Sequence, residues 1–156
     1  MTLYHGSNVE ISKPDLFHSR DTVDFGKGFY TTPLREQAGK WCQRFKRGGH
    51  ASVISRYTLD ETAFEVLDCL QFDTYSEQWL DFIAMCRAGK DTSSYDIVSG
   101  GVANDKVFDT LELYFQNLID KQAALGRLQY EKPNWQVCLR SAAALRYLIF
   151  EGGEII

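Results

Sequence analysis

Segments that read as strands and segments that read as helices follow one another irregularly along this chain, and that order constrains its fold more than any other feature. A doubly wound parallel sheet needs a repeating strand–helix–strand pattern; without it the expectation is an α+β domain. Residues 2–5 are strand-prone and run into Gly6-Ser7. Residues 8–27 carry Pro14 and many polar side chains and read as a long irregular segment, of the kind that often serves function. Residues 29–32, Phe-Tyr-Thr-Thr, are β-prone and stop at Pro33. A helix is predicted from Leu34, with Leu34, Ala38, Trp41, Cys42 and Phe45 at helical spacing and Gly48-Gly49 as its end.

Further on, residues 51–59 and 64–67 read as strands, and Thr74 with Glu77 reads as a capping box. The helix it opens places Trp79, Phe82, Ile83 and Cys86 on one face and ends near Gly89. Residues 95–99 form a predicted strand. Asn104 or Asp105 caps a helix with Val107, Phe108, Leu111, Phe115 and Leu118 on one side. A helix over 121–128, a strand over 134–139, a helical turn from Ser141 and a strand over 147–150 complete the reading.

At 156 residues the chain is the length of one domain, 1–156, and can bury a core without disulfides or metals. Its net charge of −4 argues against a surface built to grip many phosphates of a nucleic acid. The one basic run, Arg44, Lys46 and Arg47, fits a solvated helix end. Cys42, Cys69, Cys86 and Cys138 are widely spaced among apolar neighbours, so they read as reduced thiols, as in a cytoplasmic protein. Neither a signal peptide nor a membrane span is predicted, and no cluster has zinc-ligand spacing, so no metal is expected.

Two patches carry candidate chemistry. In Tyr4-His5-Gly6-Ser7 a histidine ends a strand, where its ring can face a cleft and bond a sugar hydroxyl, and the glycine allows close approach to the backbone. A plain turn after an edge strand accounts for the same residues. In Asp24-Phe25-Gly26-Lys27-Gly28-Phe29-Tyr30 two glycines frame a lysine ahead of an aromatic strand, without the spacing of a P-loop. Neighbouring strand residues face opposite ways, so Phe29 and Tyr30 cannot both enter one core face.

Together, His-Gly-Ser at a strand end, Gly-Lys-Gly-Phe-Tyr, and a helix bearing Trp41 eleven residues after Tyr30 resemble the poly(ADP-ribose) polymerase-type signature of ADP-ribosyltransferases. More closely, Asp24 to Thr32, Gln37-Ala38, Tyr95 to Val98 and Val102 to Asp105 resemble a bacterial family of uncharacterised function related to those enzymes. The resemblance implies a split antiparallel β-sheet core with flanking helices. It implies NAD as substrate, with no metal. His5 then holds a hydroxyl of the adenosine ribose, the Gly6 backbone pairs with the nicotinamide carboxamide, and Ser7 assists. Tyr30 and Trp41 sandwich the nicotinamide ring, which suits two aromatic faces. Arg20 is placed to pair with the diphosphate, as a guanidinium does, or stands in solvent.

Gln136 stands where the polymerases carry a glutamate that bonds the ribose next to nicotinamide. It keeps a hydrogen bond and brings no charge to the oxocarbenium-like carbon, which weakens transition-state stabilisation. As a strand residue it could equally face outward. The expectation is transfer of a single ADP-ribose unit to a protein or nucleic-acid acceptor, with His5, Tyr30 and Gln136 as the catalytic set. The alternative is a catalytically silent module that binds NAD or ADP-ribose. A third reading makes the chain the toxin of a toxin–antitoxin pair, with a small antitoxin-like protein as partner.

Overall fold

The computed structural model describes residues 1–20 and 22–156; residue 21, within the segment read as irregular, lies outside the described residues. Seven strands and six helices are found among the described residues, in an irregular order that makes the chain α+β. The strands form two sheets. The first is antiparallel, in the order β1 (Thr2–Ser7), β3 (Val53–Leu59), β7 (Leu148–Ile155). The second runs β2 (Phe29–Thr31), β6 (Trp135–Leu139), β5 (Ile97–Gly101), β4 (Cys69–Gln71). Its β4–β5 pair is parallel, so the sheet is mixed where an antiparallel core was expected. The two sheets touch at an isolated antiparallel bridge, Tyr4 with Thr32, whose two backbone bonds are 2.8 and 2.9 Å.

Strand alternation decides what each sheet face buries. Leu3, Tyr57 and Leu59 of the first sheet pack with Phe29, Ile97, Val137 and Leu139 of the second, a layer of apolar contact between the sheets. The opposite face of the first sheet meets α1 (Arg35–Arg47) through Ala38, Cys42 and Ile54. The opposite face of the second sheet is covered by α3 (Glu77–Arg87), α4 (Asp105–Phe115) and α5 (Lys121–Leu128), around Trp79, Ile83, Val98 and Leu111. Trp79 is wholly buried and its indole N–H donates to the Gly101 carbonyl at 3.1 Å, which satisfies its one polar atom. Thr31 and Thr32 donate their hydroxyls to the carbonyls of Val137 and Trp135, both at 2.8 Å, and so tie β2 to β6.

Several local expectations are corrected. Residues 64–67 are not a strand: α2 (Ala63–Val66) is a single helical turn, started where Asp60 accepts from the Thr62 amide and hydroxyl. Ser76, not Thr74, caps α3, accepting from the Trp79 amide. Asn104 is the cap of α4 and accepts from Val107. On that helix Val107, Thr110 and Leu111 are buried, whereas Phe108, Phe115 and the trailing Leu118 are exposed. Helix α5 has the predicted bounds. The turn from Ser141 is α6 (Ala142–Leu145), with Ser141 as its cap. All four cysteines are free, three of them buried.

Candidate active site

Beyond the Tyr4–Thr32 bridge the strands β1 and β2 part, and a cleft opens between them. Antiparallel alternation turns the Gly6 N–H and C=O the same way as those of Tyr4, away from β3 and toward β2. Residue 6 does not pair with Tyr30 in register, because the Tyr30 carbonyl accepts from His5 Nδ1 at 2.6 Å instead. The Gly6 backbone therefore lines the cleft as an open strand edge. Its lack of a side chain has another cause than ligand access: a Cβ there would lie 2.3 Å from the Ala38 carbonyl oxygen, so glycine lets α1 sit against β1.

The cavity has a volume of about 800 Å³, within the range of small-molecule sites. His5, Gly6, Ser7, Arg20, Tyr30, Trp41 and Gln136 all line it. These residues come from β1, the loop after it, β2, α1 and β6, so the fold gathers all seven residues given a site role in the sequence around one space.

His5 shares the strand face of Leu3 and extends the inter-sheet layer to the cavity wall, its ring stacked on Phe29 with centroids 4.4 Å apart. A carbonyl only accepts, so Nδ1 carries the proton and Nε2 is left as an acceptor. Burial lowers the His5 pKa below its usual value; the bond to Tyr30 opposes this, and the Arg44 cation adds to it. His5 is thus a neutral imidazole at neutral pH.

Tyr30 and Phe29 face opposite ways, as expected: Phe29 is buried between the sheets and Tyr30 is half-buried. The Tyr30 hydroxyl donates to the Gly26 carbonyl at 2.6 Å and accepts from the Phe25 amide at 2.9 Å. Gly26 has φ of +73°, the left-handed conformation that this turn requires. Burial pushes the Tyr30 pKa far upward, so the phenol offers the cavity a ring, not a proton.

Trp41 is half-buried on the flank of α1, with Arg44 and Phe45 beside the same cavity. The buried line of this helix is Ala38 and Cys42, while Leu34 is exposed, so the apolar stripe read from the sequence splits into a core line and a cavity line. Arg44 belongs to the cavity rim as well as to the solvated helix end. The Ser7 hydroxyl is engaged with Val9, donating to its carbonyl and accepting from its amide at 3.2 Å, which shapes the start of the loop. Arg20 is exposed on the rim.

Gln136 does not face outward. It is 3% exposed on β6, a strand covered on both faces, and its Nε2 donates to Asp24 Oδ2 at 3.2 Å. Asp24 lines the cavity too. Its other oxygen, Oδ1, accepts from Arg87, the Nε distance being 3.0 Å. In the sequence Asp24 stands within a motif that assigns it no role; its partners lie 63 and 112 residues away, beyond any local pattern.

Burial raises the pKa of all four thiols, those of Cys86 and Cys138 to about 12, so none is a thiolate nucleophile at neutral pH. Among the described residues no group of His, Cys, Asp and Glu is arranged to hold a metal ion. Nor is any helix long and apolar enough to cross a membrane.

Residues 1–150 match the family described as Protein of unknown function (DUF3990). The chain belongs to this family. No curated protein and no solved structure matches it. The DUF3990 match takes in β1, the long loop, β2, α1 and β6, so every cavity residue named above lies within the family region.

Proposed function

We propose that this chain is an ADP-ribosyltransferase that uses NAD and transfers a single ADP-ribose unit to a protein or nucleic-acid acceptor. The observation that carries the reading is the convergence of His5, Gly6, Tyr30, Trp41 and Gln136 on one cavity. In the sequence the same five residues stand at the positions that resemble the ADP-ribosyltransferase signature, with Gln136 in place of its glutamate. The same placement supports the finer reading of the two sheets as the split core of an ADP-ribosyltransferase.

In this reading the open Gly6 edge pairs with the nicotinamide carboxamide, donor to acceptor and acceptor to donor. The rings of Tyr30 and Trp41 flank the pyridinium, each stacking contact worth about 0.5–1.5 kcal/mol beyond burial. His5 Nε2 accepts from an adenosine ribose hydroxyl. Arg20 and Arg44 on the rim meet the diphosphate. The bond from ribose C1′ to the pyridinium nitrogen breaks with its electron pair passing to nicotinamide, which leaves neutral. A lone pair of the acceptor bonds to C1′, and the acceptor's proton passes to solvent. Positioning supplies most of the acceleration.

The neutral Gln136 favours a second reading, a module that binds NAD or ADP-ribose without transfer. Labelled NAD separates the two. Incubated with lysate, the wild type is expected to label a macromolecule and release nicotinamide, with His5→Ala and Tyr30→Ala inactive. Binding without label or nicotinamide release selects the binding module; label that survives both substitutions removes this cavity from the reaction. Growth arrest on expression, abolished by His5→Ala, is the outcome that a toxin role requires.

A further inference from the structure

We propose that Asp24 is the positioning residue of this site: it fixes the orientation of the Gln136 carboxamide and supplies the negative charge that Gln136 lacks. This rests on the transferase reading above. A carboxylate can only accept, so the contact between Asp24 Oδ2 and Gln136 at 3.2 Å turns the amide nitrogen toward Asp24 and leaves Oε1 as the free acceptor. A buried glutamine amide otherwise has two orientations of similar shape, one of which would present N–H groups to an electron-poor ribose.

The carboxylate is itself held from several sides. Oδ1 takes the Arg87 guanidinium at the end of α3, and Oδ2 also receives the Ala103 amide at 3.4 Å. The Arg87 guanidinium lies over the Phe108 ring, 5.3 Å from its centroid. The next residue, Phe25, is wholly buried, and its amide donates to the Tyr30 hydroxyl. The loop thus cannot shift Asp24 without breaking the clamp on Tyr30. An ionised acceptor polarises the amide that donates to it, and the polarisation places more negative charge on the far oxygen of that amide. Gln136 Oε1 then meets the ribose with some of the character of a carboxylate oxygen. Asp24 acts through Gln136 in this scheme and lines the same cavity.

The test uses NAD hydrolysis, which needs no acceptor beyond water. Water bonds to C1′, the pair of the broken bond goes to nicotinamide, and one proton is released. Asp24→Asn is expected to lower kcat about tenfold or more while KM for NAD stays within about twofold, because the lost interaction grows with charge at C1′. The double variant D24N/Q136E exchanges amide and carboxylate and keeps the total charge beside Arg87. It is expected to recover kcat to within about threefold of wild type, a coupling that a merely structural contact does not give. Melting temperatures of both variants are read alongside. In the wild type, the ¹⁵N-labelled side-chain amide of Gln136 is expected to exchange with solvent more slowly than exposed glutamine amides.

A D24N enzyme with wild-type kcat overturns the role of Asp24 and leaves the transferase reading intact. So does a folded D24N/Q136E variant no faster than D24N, or a freely exchanging Gln136 amide. A wild-type protein that neither binds NAD calorimetrically nor releases nicotinamide overturns the transferase reading and the role of Asp24 with it.

Discussion

His5 Nδ1 donates to the carbonyl of Tyr30 across 2.6 Å, so one hydrogen bond joins the two sheets at the cleft and fixes the tautomer of the imidazole. Burial, aided by Arg44, holds the folded-state pKa of His5 below its ordinary 6.5. The unfolded chain therefore takes up this proton first as pH falls. The neutral imidazole contributes stability fully present above about pH 6.5, which is lost on acidification through the lower folded value. Nicotinamide release should fall on the acid side with a midpoint below 6.5, because a protonated Nε2 cannot accept. Rate and denaturant midpoints from pH 8 to 4.5, for wild type and His5→Gln, check this; a midpoint above 6.5 contradicts it.

Tyr30→Phe keeps the ring and removes two hydrogen bonds, to Gly26 and from Phe25. Stability should drop by about 1–3 kcal/mol, since the Phe25 amide loses its acceptor. NAD affinity should fall far less than in Tyr30→Ala, because the stacking face survives. Urea unfolding and calorimetric titration measure the two effects separately.

For Trp41 the expectation is the reverse, a large effect on ligand and a small one on fold. Its side chain is half-buried and outside the packed line of Ala38 and Cys42. Trp41→Ala should weaken NAD binding about tenfold, in line with one lost stacking face, with Trp41→Phe between it and wild type. Equal losses in melting temperature and affinity would mark Trp41 as core.

Gly6→Ala forces a methyl to within 2.3 Å of a main-chain oxygen of α1. Helix and strand must separate, at a cost of about 1–3 kcal/mol. The melting temperature of this variant is expected to fall even without ligand. An unchanged melting temperature would show that α1 yields freely.

Arg140 pairs with Asp91 where their side chains are 8% and 11% exposed, and Arg140 also bonds Ser93. Arg140→Ala strands a buried carboxylate and should destabilise by about 3–5 kcal/mol. Arg140→Ala with Asp91→Ala should recover part of that loss in urea melts. Additive losses would deny the coupling.

The motif residues were legible because they lie on short elements whose boundaries carry chemical markers. Pro33 stops β2, the paired glycines after α1 end that helix, and Phe29 and Tyr30 divide by strand alternation. Residues 64–67, Phe-Glu-Val-Leu, read as a strand, yet so short a run fits a turn of helix as well. What decides for α2 is the Asp60 side chain bonding Thr62. Strand β4 has three residues and exists only by pairing with β5, so nothing local announces it. Strand β7 runs on past residues 147–150 through Gly152 and Gly153, which pair with Arg56 and Ser55 beyond a bulge where Gly152 takes a φ of +133°. The partnership of Gln136 with Asp24 was hidden for the same reason, being a contact across the fold.

The Tyr4–Thr32 bridge gives the two sheets a pivot of just two main-chain bonds. His5 and Gly6 ride on one plate, Tyr30 and Gln136 on the other. Behind that pivot the layer of Leu3, Tyr57, Phe29 and Val137 fills the space between the plates, and His5 bonds Tyr30 across it, so any change of gape must repack that layer. Side chains of that layer, remote from the mouth, thereby set its width.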